Sequence, residues 1–398
     1  MYATSPWLTV AYCCLMQAFT LGFGFYAFAF FVVPWTAEFG VNRSSLMLAI
    51  TASAVASPLI SPLGGILLDR LDSKKLILGG LAIYCLGLLA VAAAPSYLVV
   101  VAVFGLVLPV AITLAGPLTA YSLVARTATG KLGLALGITS LGSSIGGLVM
   151  PVVVTGLLGM YSWRLVFTIV AALIMLCVFV PGLVLLKKSI PAPSGDGHLG
   201  GTLQLMRSRA VIQLGLSYLL PSMMFIAILH NIGAYAADIG VSQQQAALII
   251  SASSVLTAIG KIGSGYLSDR LNHTVLYVGI VTVIAIGMFI TGLSTAFAPL
   301  LAGVCLVALV LGGISPFVAS LVANRWGTAR FGRVMGVIYA FAALSGIGPL
   351  VAAAIRDSTG SYSHVFMWMT VALVPGIVCF LTLPKAVAVP AEPGPIRA

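Results

Sequence analysis

Charge is scarce in this chain. Of its 398 residues only 7% are charged, while 61% are hydrophobic and the mean hydropathy is +1.16. Soluble globular domains carry about 25% charged residues. A chain with so few cannot cover itself with a water-facing surface, which excludes soluble enzymes and nucleic-acid-binding domains and implies an integral membrane protein. Acid is the scarcest charge. Glu38, Asp69, Asp72, Asp196, Asp238, Asp269, Asp357 and Glu392 all fall in connections or at the ends of apolar runs. A proton relay built on an intramembrane carboxylate is therefore not available. Each of the six cysteines lies inside an apolar run without paired spacing, and the four histidines form no cluster, so neither a disulfide framework nor a metal site is expected. No nucleophile and base can be placed together at one membrane depth, so neither an enzyme nor a cofactor is expected. The glycine-rich stretches around Gly133, Gly137, Gly142, Gly146 and Gly147, and around Gly332, Gly336, Gly346 and Gly348, are followed by no phosphate-loop lysine. They read as places where helices pack closely.

Long apolar runs, by contrast, are abundant. A membrane crossing needs about 20 mostly apolar residues. Twelve such spans are legible: 8–33, 45–68, 76–94, 98–124, 132–157, 164–186, 210–235, 244–267, 274–294, 298–323, 334–355 and 364–384. The first lacks a basic leader region and is too long for a cleaved signal, so it counts as a span. Residues 187–209, rich in Pro, Gly and Ser, form the longest polar connection and read as a cytoplasmic linker between a 1–186 half and a 210–384 half. The Pro-rich tail at 385–398 reads as disordered.

Lys and Arg set the orientation, because cytoplasmic connections carry the excess. With the N-terminus inside, fifteen of the nineteen fall on the cytoplasmic side, against Arg43, Arg164 and Arg356 outside. Both termini are thus expected in the cytoplasm. The same distribution explains the net charge of +11 without nucleic acid. The remaining cation, Lys261, sits within the eighth span, about 12 Å from the edge at Asp269 at ~1.5 Å rise per residue. An ammonium there costs about 2.5–3.5 kcal/mol on insertion scales and must face protein or water. Ser254, Thr257, Lys261 and Gly265 follow at spacings of three and four, on one helical face. A polar stripe around one cation reads as the wall of an anion pathway; a lysine snorkelling to the surface is the alternative.

The halves repeat. Gly65-x-x-x-Asp69-Arg70 recurs 200 residues later as Gly265-x-x-x-Asp269-Arg270. Pro117, Gly133, Gly137 and Gly147 recur 199 residues later as Pro316, Gly332, Gly336 and Gly346. Two six-helix halves in the same orientation form a parallel repeat, with substrate at the membrane midplane between them.

These motifs resemble the major facilitator superfamily, whose signature between helices 2 and 3 is G-x-x-x-D-R-x-G-R-[RK]. Here Asp72 and Ser73 stand where that signature has its second Gly and following Arg. The resemblance implies twelve transmembrane helices in two pseudo-symmetric six-helix bundles. It also implies a gate in which Asp69 meets Arg330 or Arg333 and Asp269 meets Lys131 or Arg126, with Arg70 and Arg270 completing the pairs. A narrower resemblance covers most of the chain. FYAFAFFVVPWTAEFGVNRSSL, KLGLALGITSLGSSIGGLVMP, HNIGAYAADIGVS and RDSTGSYSHVF are similar to the monocarboxylate porter group and the related oxalate:formate antiporter group. In that group Arg usually stands where this chain has Lys261, which implies attraction of a substrate carboxylate. Lys keeps the charge but loses the bidentate fork. The helix 1 Lys and helix 8 Asp of animal monocarboxylate carriers fall near Phe30 and Thr257 here, so proton-coupled lactate transport is not implied. Nothing resembles the helix 4 Arg-x-x-Gln-Gly motif of drug:proton antiporters.

The expectation is a secondary active transporter for a small organic anion, in the first place a carboxylate, working by alternating access. Its expected location is the plasma membrane, of bacterial inner-membrane type, and a functional monomer is expected. Lys261 is the expected substrate charge, and His230, Asn231, Tyr26, Tyr235 and Thr257 are expected to contribute hydrogen bonds. His230 is attractive because histidine titrates near working pH. Gln17, Thr113, Tyr121 and Tyr339 are further polar residues inside spans, some of which should line the pathway. The coupling species is left open between a proton and a counter-anion. Rival readings are an efflux pump for hydrophobic or drug-like compounds and a membrane receptor or scaffold that transports nothing.

Overall fold

The computed structural model describes residues 5–41, 43–128, 130–186 and 204–384. Helices dominate, and among the described residues twelve are long and apolar enough to cross a membrane: α1 (Pro6–Tyr26), α2 (Leu48–Arg70), α3 (Ser73–Ala92), α4 (Tyr97–Thr127), α5 (Leu132–Leu158), α6 (Trp163–Leu185), α7 (Arg209–Asp238), α8 (Gln243–Ser268), α9 (His273–Gly292), α10 (Phe297–Trp326), α11 (Phe331–Thr359) and α12 (Tyr362–Leu381). An even number of crossings puts residues 5 and 384 at the same end, called here the terminal end. The expected spans agree within a few residues, except at the first. After Tyr26 the chain continues as a further helix, Phe28–Phe39, that stops at Gly40 with φ +62. Ile239 at the end of α7 likewise runs into Gly240 with φ +74, 200 residues on. Both turns use the left-handed region that glycine enters without steric cost.

Local start signals repeat in the same register. Asp72 caps α3 by accepting from Lys74 N at 3.0 Å, and Asn272 caps α9 by accepting from Thr274 N at 2.8 Å. Ser162 caps α6 and Ser361 caps α12, again one repeat apart. These side chains satisfy amide donors that a helix start leaves unpaired.

Each half has its own aromatic core. Trp35 is fully buried among Phe28, Phe31, Phe104 and Phe167 in the first, while Tyr277 stacks on Phe380 with centroids 3.8 Å apart in the second. At the end away from the termini, Glu38 pairs with Arg164 at 2.6 Å and accepts from the Trp163 indole. These donors hold the Glu38 carboxyl below the usual carboxylate range. Its repeat mate Asp238 lies 3.6 Å from Arg356 in the other half.

The halves meet along two seams, α2 against α11 and α5 against α8. At the first, a Cβ on Gly65 would overlap the carbonyl oxygen of Gly332; at the second, a Cβ on Gly133 would overlap that of Gly265. Gly65, Gly332, Gly133 and Gly265, which are among the glycines that mark the repeat in the sequence, thus let the halves touch. Gly137 and Gly336 extend the same seams onto the backbones of Lys261 and Ser61, while Gly346 faces open space. The expected linker falls up to residue 203, and the expected tail wholly, outside the described residues.

Candidate functional site

A cavity of about 250 Å³ lies between the halves. Six helices wall most of it: Gln17 and Leu21 from α1, Ser57, Pro58 and Ser61 from α2, Thr113 and Tyr121 from α4, Ser140 and Ser143 from α5, Lys261 from α8, and Tyr339 from α11. Tyr218 of α7 and Ser315 of α10 complete the polar lining. Lys261 is the single charged side chain among the described lining residues.

Two close contacts hold α8 in place around that lysine. Gly260 lies on the Leu309 backbone of α10, and Gly265 on the Gly133 backbone of α5. The Lys261 ammonium therefore reaches the opposite half and donates to Ser143 Oγ at 2.6 Å and Ser144 Oγ at 2.7 Å. An ammonium has three donors, so two are matched by neutral hydroxyls, and among the described residues no carboxylate pairs with it. Across the cavity Ser315 Oγ is a hub. It donates to Tyr121 OH at 3.4 Å and lies 3.3 Å from Tyr339 OH, with the Tyr218 ring 6.2 Å from that of Tyr339. The chemistry on offer is one cation, several hydroxyls, and apolar wall from Leu21, Pro58, Ile112, Pro117 and Leu118.

Toward the terminal end the cavity floor is closed by the seams and by two carboxylates. Asp69, 1% exposed, accepts from Arg333 Nε at 2.8 Å and from the backbone N–H groups of Gly332 and Arg333 at 3.2 and 3.3 Å. Arg126 lies 3.7 Å from the same carboxylate and donates to Leu68 O. Asp269 does not take the expected partner. It accepts instead from the backbone N–H groups of Gly133 and Leu134 at 2.6 and 2.9 Å. Arg126 is engaged beside Asp69, and Lys131 is exposed at the start of α5. The first turn of a helix offers unpaired amides with a positive dipole, which serves a carboxylate as well as a side-chain cation does. Arg70 and Arg330 are exposed, and Arg270 lies over the Tyr266 ring at 4.2 Å.

The other expected ligands lie away from the cavity. His230 is exposed, with Nδ1 2.8 Å from the Ile226 carbonyl of its own helix. Asn231 is buried, donates to Ala227 O and accepts from Tyr362 OH. Tyr235 OH donates to the α9 end, 2.8 Å from Thr291 O. Thr257 bonds back to Ser253 O at 2.8 Å, and Tyr26, half-exposed, lies over Gly147. Lys261 alone among the expected substrate ligands lines the cavity, where Gln17, Thr113, Tyr121 and Tyr339 join it. Ser57, Ser61, Ser140, Ser143, Ser144, Tyr218 and Ser315 were not singled out from the sequence. A usable signal existed. The 200-residue offset maps Lys261 onto Ser61, and the 199-residue offset maps Ser140 onto Tyr339, and all four line the cavity.

The Major Facilitator Superfamily model matches residues 14–347 and 214–397. The chain belongs to the Major Facilitator Superfamily. As a member of it, the protein is a multi-pass membrane transporter. It is 24% identical over 330 residues to the MFS transporter asaE of Aspergillus flavus, covering 81% of this chain and 74% of that one. It is 27% identical over 370 residues to monocarboxylate transporter 11 of Mus musculus, covering 86% and 78%. Among solved structures, a variant of the E. coli fucose:proton symporter FucP superposes with a TM-score of 0.77 at 17% identity, over 96% of this chain and all of that one. That structural likeness carries the fold.

Proposed function

We propose that this transporter moves a small organic anion, most simply a carboxylate, by secondary active transport through alternating access. One observation carries the reading. The cavity between the halves holds an ammonium whose charge is met, among the described residues, by hydroxyls alone, so a monoanion is the solute that completes its electrostatics. A cation would meet like charge in a site of low dielectric. The name of mouse monocarboxylate transporter 11 agrees with this class. The Lys and Arg excess supports a cytoplasmic terminal end, so the closed seams are read as the cytoplasmic gate shut. Asp69 and Asp269 are the gating residues of that closure, with Arg333 and Arg126 on the first.

Lys261→Gln tests the reading. The variant keeps size and hydrogen bonding but loses the charge. Substrate-induced thermal stabilisation should be measured in detergent with acetate, pyruvate, benzoate and oxalate, beside the lipophilic cation tetraphenylphosphonium. Charged hydrogen bonds contribute about 1.5–3 kcal/mol, so carboxylate affinity should fall roughly tenfold to a hundredfold or more. Lys261→Arg should retain part of it. Equal carboxylate binding by Lys261→Gln, or stabilisation by the cation alone, overturns the proposal.

A further inference from the structure

Lys261 is fastened to the half it does not belong to. Both of its hydroxyl partners, Ser143 and Ser144, lie on α5, while the lysine lies on α8. Ser143 spends its own proton on Ser140 O at 3.0 Å, so its oxygen faces the ammonium as an acceptor. The α5–α8 seam is thus held at three levels of α8, four residues apart: Asp269 on the amides of Gly133 and Leu134, Gly265 against Gly133, and Lys261 on the serine pair ten residues further along α5. Only the last level opens onto the cavity. The mate seam has no such fastening there, because Ser61 stands where repeat symmetry would put Lys261, and Ala342 where it would put Ser143.

From this asymmetry we infer that Lys261 with Ser143 and Ser144 forms a clasp that the substrate itself undoes, which makes the two serines positioning residues. The inference rests on the anion reading above. While the cavity is empty the hydroxyls hold the ammonium and fasten the seam. An entering carboxylate is the better acceptor, since charge-assisted hydrogen bonds are roughly twice as strong as those to neutral groups. It takes the ammonium over and releases α5 from α8. A neutral solute of the same shape offers no such gain and leaves the clasp closed. The anion then shifts the equilibrium between closed and open seams because it binds the unclasped form better.

Hydrogen–deuterium exchange of the purified full-length protein reads the clasp directly, through the peptide over residues 130–145, which carries the Gly133 and Leu134 amides. In the absence of any solute, Ser143→Ala/Ser144→Ala should raise exchange there by roughly fivefold, the loss of about one hydrogen bond's worth of protection. Alanine is the better helix former, so the fold survives; Ser143→Ala alone should give a smaller rise. Lys261→Met should match the double serine variant, and the triple variant should add nothing further. Saturating benzoate should raise exchange in the wild type but not in these variants, and benzamide should leave it unchanged. Wild-type exchange in the serine variant overturns the clasp while leaving the anion reading intact. A serine effect with no benzoate effect, in protein that benzoate stabilises thermally, overturns the exchange step. If no carboxylate shifts the thermal midpoint, the anion reading falls and the exchange step falls with it.

Discussion

Arg333 Nε donates to Asp69 Oδ2 at 2.8 Å across the boundary between the halves, with 7% and 1% of the side chains exposed. The same carboxylate caps α11 through the amides of Gly332 and Arg333. One repeat away, Asp269 caps α5 through the amides of Gly133 and Leu134. The backbone half of the interaction is symmetric and the side-chain half is not, because Leu134 stands where α11 has Arg333.

That difference ranks two substitutions. Asp69→Asn leaves buried guanidinium groups of Arg333 and Arg126 without their carboxylate, a loss of roughly 3–5 kcal/mol for breaking a buried pair. Asp269→Asn weakens only bonds to backbone amides, roughly 1–3 kcal/mol. Thermal unfolding should therefore show the larger drop for Asp69→Asn, and turnover should slow more than substrate affinity changes in both. Equal drops for the two variants would contradict the asymmetry.

The glycines allow a test with internal controls. Gly65→Ala and Gly265→Ala place a Cβ against a carbonyl of the opposite half, so the terminal end should fail to close. Their consequence is a gate that leaks, read as faster modification of a single cysteine introduced at Ser268, 5% exposed beneath the seam. Gly79 and Gly279 are also repeat mates, and a Cβ on either meets nothing within 4 Å. Alanine there should be neutral or stabilising by up to about 1 kcal/mol, the helix-propensity difference. Indistinguishable effects at the two pairs would remove the close-approach account.

Much of this architecture was legible in the sequence, for a physical reason. Spans announce themselves by apolar length, and a parallel repeat announces itself by offset, so Gly65, Gly265, Asp69 and Asp269 were visible as a set. Lys261 stood out because a charge within a span is costly. The serines did not. Ser and Thr in apolar helices satisfy themselves on the preceding turn, as Ser251, Ser254 and Thr257 do here, so their presence does not say which face matters. Asn231 and Tyr235 illustrate the converse. Polar in composition, they spend their hydrogen bonds fastening α7 to α12 and α9 within one bundle. Which neighbour a polar side chain meets depends on helix rotation, and that is set by packing against partners far away in the chain.

Orientation rests on loop charge and is open to a direct test. Lys75 at the start of α3 is exposed at the terminal end, and Asp357, with 75% of its side chain exposed, lies at the opposite one. Single cysteines at these positions should react with a membrane-impermeant maleimide from opposite faces of intact cells, the second from outside. Labelling of position 75 from outside would reverse the orientation and turn the closed seams into the extracellular gate.

The Ser315 hub gives the last prediction. Its contacts to Tyr121 of the first half and Tyr339 of the second are long, at 3.4 and 3.3 Å, and join neutral groups. Such bonds contribute about 0.5–1.5 kcal/mol each, so Ser315→Ala should lower anion affinity by only about twofold to tenfold, well short of Lys261→Gln. Tyr121→Phe should cost a similar amount. Because both substitutions break one shared contact, their combination should cost less than the product of the two, as residues in one network do. Titration of thermal stabilisation by benzoate in the four proteins measures this. If Ser315→Ala abolishes binding while Lys261→Gln spares it, recognition is centred on the hydroxyl hub and the lysine serves the seam alone.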